Sequence, residues 1–225
     1  MSRRHETPKP VRLAESIFDI VYLSVVFVCA ALLLFSSPIV GFRAQFALIV
    51  LGLGLGDTCH LVPRILGMWT DHPLGNTASQ GIGKMVSSLT MTFFYLGLWF
   101  IGISLFAVTD NTLTISVVVL TILRVALCVL PPNRWRSDTA TQAWIILRNL
   151  PFFIIGIAVM CLYGMKGSGW AVPLQFLWVP ILCSFVCYAP VVLVAKKHPR
   201  LGMLMLPKSC AYIAVIIMGF SFPGV

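Results

Sequence analysis

Seven stretches of about twenty residues, each nearly free of charge, dominate this 225-residue chain. In a hydrocarbon layer every backbone N–H and C=O must be paired internally, so only helices and closed barrels can span it. Barrel strands alternate polar and apolar residues over about ten positions, whereas these runs are continuous. The spacing predicts spans at 15–36, 44–68, 84–107, 112–131, 144–164, 171–195 and 202–222. Composition agrees: 59% of residues are hydrophobic and 10% charged, against roughly 25% charged in soluble domains. The mean hydropathy is +0.95. The expected fold is an all-α integral membrane protein, a seven-transmembrane-helix bundle. Residues 1–14, with Pro8 and Pro10, read as a short basic arm and residues 15–225 as the single transmembrane domain. The first span does not read as a removable signal peptide, because Glu15 and Asp19 interrupt its start and no small-residue cleavage motif follows.

The net charge of +9 is explained by position. With the N-terminus inside, Arg3, Arg4, Lys9, Arg12, Arg64, Lys84, Arg124, Arg134, Arg136, Arg148, Lys196, Lys197 and Arg200 lie on or near the cytoplasmic side. Only Arg43 and Lys166 fall outside, and Lys208 lies within the last span. This bias predicts an N-in, C-out topology and an attraction to anionic headgroups. No nucleic-acid reading motif accompanies it, so nucleic acid is not an expected partner. The expected setting is the cell membrane, with the lipid bilayer as partner and apolar outer faces that would also suit a second copy of the chain. All seven cysteines fall in predicted spans without a C-x-x-C, as small packing residues do. Spans 1–3 and 5–7 share one orientation, and Cys59-His60-Leu61-Val62-Pro63 echoes Cys187-Tyr188-Ala189-Pro190, which predicts a 3+1+3 repeat about span 4.

Polar side chains interrupt the apolar runs in phase. Glu15 and Asp19 are i,i+4 at the start of span 1. Asp57, His60 and Arg64 follow i,i+3,i+7 in the inner half of span 2. Lys84, Ser88, Thr92 and Tyr95 run down span 3, Arg148 and Asn149 open span 5, and Lys208 and Tyr212 are i,i+4 in span 7. Arg124 lies in the inner half of span 4, within snorkelling reach of the interface. Nearly all of these groups fall at the cytoplasmic end. Ionisable groups at such depth face a bundle interior or a water-filled cavity. The expected site is therefore a cytoplasm-facing pocket built by spans 1, 2, 3, 5 and 7. Its bases outnumber its acids, which predicts an anionic or zwitterionic occupant: a small solute or a lipid headgroup. Asp57 and His60 would form its titratable centre, and Arg64, Arg148 and Lys208 would hold the anionic group. The structural alternative is an ion-pair network in which Asp57 pairs with Lys208 or Arg148, and Glu15 or Asp19 with Arg64 or Lys84.

Other chemistries have less behind them. A metal site would want three or four His, Cys or carboxylate ligands, and among the histidines only His60 is embedded; neither a metal nor a cofactor is expected. A hydrolase would use Ser87 or Ser88 activated by His60, with Asp57 orienting the imidazole, but no G-x-S-x-G elbow is present. Lys208 in the seventh helix, with Trp178-Val179-Pro180 in the sixth, looks superficially like a retinal-binding rhodopsin; it lies only about ten ångströms into its helix. The N-in, C-out topology is similar to that of the seven-helix ceramidase and progestin-receptor superfamily. That superfamily's metal-binding HxxxH is absent from the last helix, which reads Pro207-Lys208-Ser209-Cys210. The expected function is binding and transport of the solute, proton-coupled through Asp57 and His60. An intramembrane hydrolase, or a receptor or assembly protein, is the alternative.

Overall fold

The computed structural model describes residues 8–36, 41–137, 139–170, 172–194 and 198–224. The expectations for Arg3, Arg4, Lys196, Lys197 and the Arg200 side chain lie outside the described residues. Among the described residues seven helices are long and apolar enough to cross a membrane: Lys9–Phe35, Phe42–Trp69, Thr77–Leu105, Asn111–Val129, Gln142–Lys166, Val172–Val194 and Leu201–Ser221. They are numbered here as spans 1 to 7. No strand occurs among the described residues. Leu13, Ile17, Leu48, Ile122 and Val186 typify the many large apolar side chains left exposed on the outer faces. Lengths, hydropathy and apolar exterior together suit a multi-pass membrane protein.

Two helices begin earlier than the apolar runs predict. Span 1 starts at Lys9, with proline in its first turn. A proline there loses only an N–H that would have had no helical partner, so Pro8 and Pro10 open the helix and residues 9–14 belong to it. Span 3 starts at Thr77, where the Asn76 side chain accepts a hydrogen bond from Ser79 N at 2.8 Å. The polar run that reads as a loop through 83 is a capped helical turn from 77 onward. Span 4 is capped in the same way by Asp110, which accepts from Thr112 N at 2.9 Å. Span 6 breaks at Phe176–Leu177 into a short helix, Val172–Gln175, and a longer one, Trp178–Val194. Span 7 enters through a 3₁₀ segment, Pro199–Leu204, before its α-helix at Met205–Met218. Pro207 therefore lies in that helix's first turn, where it removes no helical hydrogen bond.

The spans form a ring in which each packs on the next, span 7 closes against span 1, and span 3 also touches span 5. Contacts at the two ends fix the alternation. Where span 1 begins, the proximal end, Arg12 Nη1 donates to Met68 O at 3.0 Å and Trp69 Nε1 donates to Ser16 Oγ at 2.8 Å. At the distal end Arg43 Nε donates to Phe222 O at 3.1 Å. Tyr95 anchors the centre. It is fully buried, edge-on to Phe152 at 5.1 Å and Phe185 at 5.5 Å, with its hydroxyl 3.2 Å from that of Tyr212.

Spans 2 and 3 make the most extensive pairing, and glycine permits it. A Cβ on Gly83 would meet the Cys59 carbonyl, and one on Gly56 would meet the Thr90 side chain. Small residues allow such backbone approach between membrane helices, where packing replaces the hydrophobic drive. Gly83→Ala is expected to destabilise the bundle by about 1–3 kcal/mol, because the obstacle is backbone and cannot rotate away. Gly52→Ala, which would meet nothing within 4 Å, should leave the melting temperature in detergent near wild type. Equal melting temperatures for the two variants would remove glycine packing as the reason for the close approach.

Candidate functional site

The polar side chains gather at the proximal end, but in two clusters. The first lies among spans 1, 2, 3 and 7. Asp57 is buried, and its two oxygens accept from Tyr22 Oη at 2.7 Å and Ser87 Oγ at 2.6 Å. The close approach of spans 2 and 3 brings Ser87 within that reach. Two turns along span 2, Arg64 donates to Glu15 at 2.8 Å and approaches Asp19 at 3.7 Å. A narrow pocket opens beside these groups. Its ionisable lining is Asp19, Asp57, His60, Arg64 and Lys208, and Tyr22, Ser209 and Tyr212 add hydroxyls. Its volume is about 70 Å³, several times what one ordered water needs, so it suits a compact group.

Asp19 and Lys208 on this wall are incompletely partnered, and Arg64 keeps a buried Nε without a hydrogen bond. Asp19 is 3% exposed and accepts no hydrogen bond among the described residues; its one counter-charge is the longer contact to Arg64. Lys208 is 4% exposed. Its ammonium touches the Met91 sulfur at 3.7 Å and lies over the Tyr212 and Tyr188 rings at 4.7 and 5.1 Å. It interacts electrostatically with Asp57 but makes no ion-pair contact among the described residues.

The second cluster joins spans 4, 5 and 6. Arg124 is buried over the Phe152 ring at 4.9 Å rather than snorkelling outward. Its Nη1 donates to Asn149 Oδ1 at 2.8 Å and to the Arg148 carbonyl, close to Pro151 inside the same helix. Arg148 stacks on Trp135 at 4.0 Å and donates to Asn133 Oδ1 at 2.8 Å. Asn133 Nδ2 in turn satisfies the carbonyls of Leu127, Cys128 and Leu130 at the end of span 4. Tyr188 links the clusters: its hydroxyl donates to Asn149 at 2.9 Å while its ring faces Lys208.

The expected site is thus divided. The structure brings together Glu15, Asp19, Asp57, His60, Arg64, Lys208 and Tyr212. It places Arg148 and Asn149 in the second cluster, so span 5 contributes none of the pocket's charged lining. Neither Arg148 nor Lys208 is in ion-pair contact with Asp57; tyrosine and serine hydroxyls occupy that carboxylate instead. Ser88 and Thr92 bond back to the carbonyls of Lys84 and Ser88 along span 3, and Tyr95 reaches the pocket only through Tyr212. Lys84 is half-buried on span 3, outside the pocket lining. The Ser–His–Asp order suggested for hydrolysis differs from the order present, since Ser87 donates directly to Asp57. Among the described residues no group of three His, Cys, Asp or Glu could hold a metal ion.

Tyr22, Met91 and Tyr188 are contributors that the polar stripes did not include. Tyr22 had a legible signal, standing i+7 from Glu15 and i+3 from Asp19 on the same face. Compared with protein-family models, curated proteins and solved structures, the chain has no significant match in any of the three.

Two variants separate the clusters. Arg64→Gln leaves Asp19 buried without its counter-charge and is expected to lose about 2 kcal/mol, recovered when Glu15→Gln and Asp19→Asn are added. Failure of the triple variant to recover, in a detergent melting series, would count against the ion pair as the source of the loss. Asn133→Ala leaves the Leu127 carbonyl without its donor and Arg148 without its Oδ1 acceptor, and should lose about 1–3 kcal/mol while leaving ligand retention by the pocket unchanged.

Proposed function

We propose that this multi-pass protein binds a small anionic or zwitterionic solute in the proximal pocket and moves it across the membrane, with proton coupling through Asp57 and His60. The observation carrying this reading is the convergence of charged side chains from spans 1, 2 and 7 on one pocket. Intramembrane charges are costly and are kept where they meet a ligand, an ion or a partner. The orientation belongs to the same reading. Arg12, Arg64, Lys84, Arg124, Arg134, Arg136 and Arg148 lie at or near the proximal end, whereas Arg43 and Lys166 flank the distal one. That bias supports a cytoplasmic proximal end, N-in and C-out, in the cell membrane. Pro63 and Pro190 both lie inside helices near this end, which is in keeping with a 3+1+3 plan. The hydroxyls of Ser87 and Ser88 are engaged by Asp57 and by the Lys84 carbonyl, which leaves hydrolysis second to transport.

The test is uptake of labelled amino acids and small organic anions into proteoliposomes, with and without an imposed pH gradient. Lys208→Met is expected to abolish uptake, and Asp57→Asn to abolish its dependence on the gradient. Uptake that is unchanged in both variants would refute the reading. Lipid product released by wild type and lost in Ser87→Ala would put hydrolysis in its place.

A further inference from the structure

Charge balance within the pocket narrows the class of ligand. The basic excess of the proximal end does not line it: Arg124 and Arg148 belong to the second cluster, and Lys84 stands outside the lining. Two acids, Asp19 and Asp57, face two bases, Arg64 and Lys208, with His60 beside them, and Glu15 pairs with Arg64 from outside the lining. A pocket lined by both signs, without an excess of bases, favours an occupant that itself offers both signs. A lone anion or a lone cation would leave one buried side chain uncompensated.

The unused bonding capacity is also of both signs. Arg64 is taken by Glu15 at 2.8 Å, and Asp57 by two hydroxyls. Asp19 retains a buried carboxylate oxygen, 3.7 Å from Arg64, without a hydrogen bond, and among the described residues the one hydrogen-bond acceptor of the Lys208 ammonium is a thioether. A thioether is a weak acceptor, and an ammonium can donate three bonds. An oxyanion beside Lys208 would supply the acceptors that its ammonium lacks. An ammonium beside Asp19 would supply the donor that this carboxylate lacks.

We infer that the pocket takes a compact zwitterion, its ammonium on Asp19 and its oxyanion on Lys208. The inference rests on the solute-binding reading above and names the ligand class for that same site. A free amino acid and the headgroup of an aminophospholipid share this chemistry.

Purified full-length protein in detergent is titrated with glycine, acetate and methylammonium, and binding is read by calorimetry. In parallel, protein in nanodiscs containing phosphatidylethanolamine or phosphatidylglycerol is analysed by native mass spectrometry for retained lipid. Glycine is expected to bind about ten-fold or more tightly than acetate or methylammonium, the effect of one further charge-assisted contact. Asp19→Asn should lower glycine affinity to that of acetate and leave acetate unchanged. Lys208→Met should weaken both, and Lys208→Arg should restore both. Selective retention of phosphatidylethanolamine, lost in Asp19→Asn and Lys208→Met, with no glycine binding, would assign the zwitterion to a lipid. Acetate binding as tight as glycine binding, both unaffected by Asp19→Asn, would overturn the zwitterion and leave an anion site. If no probe, free or lipid, distinguishes wild type from variants shown to be folded by circular dichroism, both this inference and the solute-binding reading fall.

Discussion

The polar end of the bundle depends on how closely spans 2 and 3 approach. Gly83 lies against the Cys59 carbonyl and Gly56 against Thr90, so the two backbones are nearer than side chains on both would allow. Asp57 follows Gly56 in sequence, and Ser87 is one turn beyond Gly83. The backbone contact therefore sets the 2.6 Å hydrogen bond between them. With one oxygen held by Ser87 and the other by Tyr22 at 2.7 Å, the carboxylate ties together three spans. Satisfying it with hydroxyls has a further consequence. Neither Lys208 nor Arg64 is consumed in neutralising Asp57, and both remain on the pocket wall.

The division into two clusters follows from what each cation finds around it. In the second cluster the partners of Arg124 are carbonyl and amide oxygens and an aromatic face. A guanidinium offers five donors in a fixed plane, so it can knit helix ends and a loop without a carboxylate. Asn133 extends the same work by capping the last turn of span 4. This is a structural use of charge, and it draws Arg124 and Arg148 away from the pocket. Lys208 carries a compact charge on a flexible stem, and its surroundings are a sulfur and two tyrosine rings. Such surroundings stabilise a cation partially and leave directional donors for another molecule.

Hydropathy alone made the seven helices legible, because the length and continuity of an apolar run are local properties of the chain. Helical phase likewise placed Glu15 with Asp19, and Asp57 with His60 and Arg64. Helix starts were less legible, since Pro8, Pro10 and Asn76 act as initiators where a composition count reads arm or loop. Phase gives the face of one helix but not the neighbour it meets. Arg148 and Lys208 both stand at the proximal end, yet they belong to different clusters, which ring order and rotation decide. Tyr22 was readable from its spacing. Tyr188 and Met91 were not, because their roles exist only across helices, as the link to Asn149 and as the contact of Lys208.

A purely structural ion-pair network would make different use of these residues. Burying charges costs solvation that mutual attraction recovers only when geometry is good and the remaining bonding capacity is filled. Arg64 with Glu15 at 2.8 Å and Arg124 with neutral acceptors come nearer that standard, although each keeps a buried Nε without a hydrogen bond. Asp19 and Lys208 fall further short, although both are buried on the wall of one pocket. Helix order could be locked without them, and an apolar pair would do so at lower electrostatic cost. Retaining one incompletely bonded acid and one incompletely bonded base in the same small space is what a site for a dipolar molecule requires, and what a packing device has no need of.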